Sequence, residues 1–239
     1  MIKREKEKMK KYLFLTMTHG DETIGVEVMG KIKKSDQFDW LIVNEQAYQQ
    51  GCRFVERDMN RVAPGKIDSP IYEERRAAEV LKIAKNYQYI VDIHETTADS
   101  GVFIIITKPT IENFVLARKL KIKNVVIWVA KKQEVINPLS EYFDCGLEIE
   151  CGPKNSLKNR KILKKTIDDL LRDGDVDINF RQDYYQVYGI LNSTQDTKMS
   201  DFRKTKYVDE EFYPLLVGQY DGIASYKMRK IDFREIFSY

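Results

Sequence analysis

The sequence predicts an α/β fold: a mostly parallel or mixed sheet flanked by helices, with a small β-rich C-terminal subdomain. Three observations carry that expectation. Apolar runs such as Val102-Phe103-Ile104-Ile105-Ile106 and Val125-Val126-Ile127-Trp128-Val129 are continuous, as in strands covered on both faces. Segments with helical spacing alternate with such runs, the pattern of strand–helix–strand units. Beyond Asp173-Gly174-Asp175 the strands become short and aromatic, with Gly and Asn between them.

Taken in order, Tyr12-Leu13-Phe14-Leu15 reads as the first strand. Thr16-Met17-Thr18-His19-Gly20-Asp21-Glu22 then makes a tight turn that opens a helix with Ile24, Val28, Met29 and Ile32 on one side. Trp40 to Asn44 is a second buried strand. From Gln50 to Lys66 neither period holds, and Gly51, Pro64 and Gly65 mark a long loop, a place where function tends to sit. Ser69-Pro70 offers a helix start with Pro at the first helical position. Ile71, Ala77, Ala78, Leu81 and Ala84 give that helix an apolar stripe up to about Tyr87. Tyr89 to Ile93 is the next strand and ends at His94. Ile111 to Leu120 has helical spacing, Cys145 to Glu150 reads as a strand before the turn Gly152-Pro153, and a long helix runs from about Leu157 to Arg172. Residues 1–173 form the main domain. Residues 174–239, with strands at Tyr184–Tyr188, Tyr213–Val217 and Ile223–Tyr226, form a smaller one that is too small to be stable undocked.

Composition narrows the function classes. Lys+Arg number 40 against 37 Asp+Glu, a net charge of +3, which does not suggest a nucleic-acid partner. No apolar run approaches the roughly 18–20 residues needed to span a bilayer. The N-terminal stretch Met1 to Lys8 is charged, has no apolar segment of signal-peptide type before the first strand, and reads as a solvated tail or a frayed first turn rather than an interaction tail. Three cysteines, Cys52, Cys145 and Cys151, make no even disulfide framework, so a reduced, cytoplasmic location is expected.

The chain has two histidines, His19 and His94, and both fall at the carboxyl ends of apolar strands. That edge is where open α/β sheets place ligands. With Glu22 they match a catalytic His₂Glu zinc set, in which three protein ligands leave one position open. Asp92, two residues before His94 on the same side of the strand, either orients a ligand or is an ordinary buried acid. Arg53 and Arg61 in the irregular loop suit recognition of a carboxylate or an oxyanion, or are simply solvated. Glu150 ends a strand held by the Gly-Pro turn. It could act as a base on an attacking water or pair with a lysine.

Thr18-His19-Gly20-Asp21-Glu22, Asp58-Met59-Asn60-Arg61, Asp92-Ile93-His94-Glu95-Thr96-Thr97 and Glu150-Cys151-Gly152-Pro153 occur in the order and spacing of one family. From about Tyr12 to Pro153 the chain resembles the aspartoacylase/succinylglutamate desuccinylase family, a branch of the zinc-carboxypeptidase-like fold. The resemblance implies a zinc-dependent deacylase in which His19, Glu22 and His94 hold one Zn²⁺ and Glu150 is the general base and acid. It implies that Arg53 polarises the scissile carbonyl, that Asn60 and Arg61 hold a substrate carboxylate, and that Tyr226 contacts substrate. It also implies that the C-terminal domain partly covers the site. Family members acting on N-acetylaspartate carry an arginine about ten residues before the catalytic glutamate. Asn137 to Tyr142 contains no cation, so an acidic substrate is not implied.

The expected substrate is therefore a small N-acyl amino acid or related carboxylate, with no nucleic-acid or membrane partner; self-association is left open. Two rivals share these residues: a metallocarboxypeptidase acting on peptides or cell-wall fragments, and a non-catalytic binding protein on the same fold.

Overall fold

The computed structural model describes residues 10–129, 137–172, 174–192 and 198–237. The charged stretch Met1 to Lys8 and the expected boundary residue Asp173 lie outside the described residues. In chain order the strands are β1 (Lys10–Thr16), β2 (Phe38–Ile42), β3 (Tyr87–Glu95), β4 (Gly101–Ile106), β5 (Asn124–Ile127), β6 (Gly146–Gly152), β7 (Asp183–Asn192), β8 (Thr205–Tyr207), β9 (Glu210–Leu215) and β10 (Ile223–Ile231). The helices are α1 (Ile24–Met29), α2 (Glu45–Gln50), α3 (Tyr72–Ala84), α4 (Ile111–Leu120) and α5 (Leu157–Arg172).

The described strands join one mixed sheet in the order β2-β1-β3-β6-β4-β5-β7-β10-β9-β8. β2, β1, β3 and β6 run parallel, so their carboxyl ends share one edge. β4 is antiparallel to β6, and the strands from β7 onward pair antiparallel with one another. β7 joins the rest through a parallel pairing with β5, so the aromatic C-terminal strands extend the main sheet.

Alternation along the strands sends their side chains to two faces. On one face Phe14, Ile93, Ile104, Leu147 and Ile149 pack with Ile24 and Val28 of α1, Phe114 and Leu120 of α4, and Leu163 and Ile167 of α5. On the other, Leu13, Leu15 and Ile90 meet Ala77 and Val80 of α3, while Phe103, Ile105 and Val126 meet Tyr185, Leu215 and Met228. Between those two clusters β3 and β6 present polar residues instead: Asp92, His94, Glu148 and Glu150.

Three expectations are corrected locally. Helix α3 starts at Tyr72, with Ile71 in extended backbone as its N-cap, so Pro70 is not its first helical residue. Ser69 accounts for this: its Oγ accepts from the Ile71 N–H at 3.2 Å and donates to Glu74 Oε2 at 2.7 Å, which makes a turn before the helix. The same helix ends at Ala84, because Tyr87 already belongs to β3 and its hydroxyl bonds Asp39 of β2. The stretch from Trp40 to Asn44 is not all strand either: Asn44 caps α2 by accepting from the Ala47 N–H, and Gly51 closes that helix in a left-handed conformation at φ 64°.

Candidate metal centre and active site

The turn after β1 places the first pair. Met17 adopts a left-handed φ of 57°, and the Glu22 N–H donates to the His19 carbonyl at 3.1 Å. Glycine is required at position 20, since a Cβ there would lie 2.3 Å from the Ala47 carbonyl carbon and 2.5 Å from the Cys52 oxygen. This close approach lets the Gly20 N–H donate to the Arg53 carbonyl at 3.0 Å, which brings the arginine loop to the histidine.

Glu22 is the hub. His19 Nδ1 lies 2.7 Å from its Oε1, and His94 Nδ1 lies 3.1 Å from its Oε2. One ligand atom from each of these three buried residues falls within 4.8 Å of the others. The outer imidazole nitrogens face carboxylates: His19 Nε2 lies 2.9 Å from Asp58 Oδ1, and His94 Nε2 lies 3.1 Å from Asp92 Oδ2, off the hydrogen-bonding direction. Asp92 is itself held by the Thr18 hydroxyl, which donates to its Oδ1 at 2.8 Å. Metal-bound histidines commonly present one nitrogen to the ion and the other to such an acceptor. The donor set thus fits a divalent ion of the zinc type, and other divalent ions accept similar ligands.

The protonation directions follow from this packing. Burial alone would lower the His19 and His94 pKa values, but Glu22 with Asp58, and Asp92 with Glu22, outweigh it and raise both. Burial disfavours the Glu22 and Asp58 carboxylates, yet the histidines hold both well below the usual range. Metal ligands must shed their protons on binding, so a divalent ion here would compete with protonation of the two imidazoles.

Glu150 stands beside His94 in the β3–β6 register. Its Oε2 is buried without a hydrogen-bond partner. Burial pushes its pKa up to about 8, with His94 opposing and Glu22 and Glu148 reinforcing. Arg53 donates to Glu22 at 3.3 Å and to Asp58 at 3.3 Å. The loop carrying it is fastened by Glu73 of α3, a fully buried carboxylate that accepts from the Val55, Glu56 and Arg57 amides.

His19, Glu22, Arg53, Asn60, Arg61, His94, Glu150 and Tyr226 all line one cavity, whereas Asp92 sits behind it. Asn60 is already engaged at both ends of its amide: Nδ2 donates to Glu148 and Oδ1 accepts from the Leu139 N–H. Sequence reasoning missed Asp58 as the partner of His19, although it stands in the same loop as the arginines. It also missed Tyr220, which lines the cavity and whose hydroxyl is pushed up to about 12 by burial and by nearby Glu150. Gln219 was missed as well. Its Oε1 accepts from the Thr96 hydroxyl at 2.6 Å and the Thr97 N–H at 2.8 Å, docking the C-terminal segment onto the end of β3. No local pattern announces such a contact.

The family model for the succinylglutamate desuccinylase/aspartoacylase catalytic domain matches residues 8–172. A curated relative from Prochlorococcus marinus (strain MIT 9515), named "Probable aspartoacylase", is 32% identical over 160 residues, covering 60% of this chain and 54% of that protein. The chain spans about half the length of the curated relatives it matches. Among solved structures, murine aminoacylase 3 superposes with a TM-score of 0.73 at 20% identity, over 95% of this chain and 97% of that one. The succinylglutamate desuccinylase of Chromobacterium violaceum gives 0.70 at 16% identity, over 94% and 86%. At these identities the two structures show a shared fold.

Proposed function

The chain belongs to the succinylglutamate desuccinylase/aspartoacylase family, and from that premise we propose that it is a zinc-dependent amidohydrolase that removes the acyl group of a small N-acyl amino acid or related carboxylate. The observation that carries this reading is the convergence of His19, Glu22 and His94 within 4.8 Å, with Glu150 registered beside His94. When bound, a divalent ion would lower the pKa of water and polarise a carbonyl. His19, Glu22 and His94 would hold it, with Asp58 and Asp92 orienting the two imidazoles.

Glu150 takes the proton of the attacking water and passes it to the departing amine, so that nitrogen leaves as a neutral amine. Its unpartnered Oε2 is free to do so. Arg53 stabilises the negative charge that develops on the acyl oxygen. Arg61 anchors the substrate carboxylate and sets its distance from the reacting carbon. Asn60 holds the Leu139 turn at the cavity wall and has one amide hydrogen left for the same carboxylate. Tyr226 and Tyr220, from residues 174–239, close the cavity over the substrate. Three free cysteines support a reduced, cytoplasmic setting. Among the described residues no helix is long and apolar enough to cross a membrane.

Turnover on a panel of N-acetyl and N-succinyl amino acids, together with free and C-terminally blocked dipeptides, tests the proposal. Hydrolysis of the acyl amino acids is expected. Cleavage confined to dipeptides with a free carboxyl end would favour a carboxypeptidase, and stoichiometric zinc without any hydrolysis would favour a binding protein.

A further inference from the structure

The cavity that holds the candidate metal ligands is also lined by two acids and a tryptophan to which the proposed mechanism gives no part: Glu141, Glu148 and Trp128. Glu148 stands two residues before Glu150 on β6 and so faces the same side. It is registered against Ile105 of β4. Thr107, Trp128, Glu141 and Tyr226 are further parts of the cavity wall.

Among the described residues the two acids of this wall, Glu141 and Glu148, form no ion pair, although Arg53 and Arg61 line the same cavity. Arg53 is already paired with Glu22 and Asp58, which leaves Arg61 for a single carboxylate. Among the described residues Glu148 accepts from two neutral groups, Asn60 Nδ2 at 3.3 Å and Ser140 Oγ at 2.7 Å. Among the described residues no lysine lines the cavity, and neither Glu141 nor Glu148 has an ion-pair partner. A second carboxylate placed beside Glu141 and Glu148 would meet two acids.

Aromatic rings line the same cavity. The Trp128 and Tyr226 rings lie 4.4 Å apart at 62°, and Tyr226 meets Tyr220 edge-on at 6.0 Å. Such faces attract cations and accept alkyl stems. Glu141 is also fixed relative to the carboxylate anchor. It rides on the turn Leu139–Tyr142, which is tied to Asn60 through the Leu139 N–H and to Glu148 through Ser140.

Resting on the deacylase reading above, we propose that the substrate's side chain ends in a cation, an ammonium or guanidinium, held by Glu141 and Glu148 with its stem against Trp128 and Tyr226. The site would thereby take a zwitterionic N-acyl amino acid and reject a dianionic one.

The experiment compares kcat/KM for Nα-acetyl-lysine, Nα-acetyl-norleucine and Nα-acetyl-glutamate on the zinc-loaded protein. Lysine should exceed its uncharged analogue norleucine by about tenfold, and glutamate should fall about tenfold below norleucine. Lysine no better than norleucine, or glutamate equal to it, overturns the proposal. Glu141→Gln should bring the lysine-to-norleucine ratio toward one; an equal loss on both substrates overturns the assignment of Glu141. Calorimetric binding of free lysine, norleucine and glutamate separates this proposal from the hydrolase reading. If nothing is hydrolysed the hydrolase reading fails, while tighter binding of lysine supports the cation pocket and equal binding overturns it.

Discussion

His94 of β3 and Glu150 of β6 are register partners in adjacent parallel strands, so a metal-ligand candidate and a proton carrier stand one strand spacing apart. The sheet itself fixes this distance, with no loop between them. Replacing Glu150 with Gln keeps the shape and removes the base. Turnover should fall by about 10²–10⁴-fold. Metal content, read by elemental analysis of the same sample, should not change.

Glu73 fastens the arginine loop from behind. Glu73→Gln leaves one acceptor oxygen for the three amides of residues 55–57. Hydrogen bonds to charged groups contribute about 1.5–3 kcal/mol, so denaturant unfolding should show a loss of that order. Turnover should fall too, because Arg53 loses its fixed position. An unchanged midpoint would show that the loop does not depend on this carboxylate.

Gly20 has no room for a methyl group, with the Ala47 carbonyl carbon 2.3 Å from where it would sit. Gly20→Ala should cost about 1–3 kcal/mol through overpacking. It should also weaken metal binding, since relief of the clash moves His19. Thermal melts with and without zinc would separate the two effects.

The cysteines supply a pH prediction. Burial pushes the Cys145 thiol up to about 12, and it raises Cys151 with help from Glu150 and Glu95. Both are held as thiols, so their contribution to stability is complete below the ordinary thiol value of about 9. It is lost as pH rises toward about 12. Iodoacetamide at pH 8 should therefore label half-buried Cys52 in the native protein and all three residues after unfolding, as mass spectrometry would read. Equal labelling of Cys145 in both states would contradict the packing.

The parts of this architecture that were legible in the sequence are those written in local periodicity. α5 runs from Leu157 to Arg172 as its pattern predicts, because Leu163, Ile167 and Leu170 recur on one buried stripe. His19 and His94 could be paired because both end apolar strands. What stayed hidden depends on contacts distant in sequence. α2 is six residues long and mostly polar, so neither period could outweigh the strand signal that precedes it. Asp58 reaches His19 across 39 positions, and Gln219 reaches Thr96 across 123. The joining of β7 to β5 is likewise a tertiary choice that two apolar runs leave open.

The central claim is that His19, Glu22 and His94 hold a divalent ion. The most direct test is metal stoichiometry after zinc loading and exhaustive dialysis, for the native chain and for His94→Ala. About one ion per chain is expected in the native protein and a large loss in the variant, as for a catalytic site with three protein ligands. Equal zinc in both proteins, or none retained by the native chain, would contradict the account.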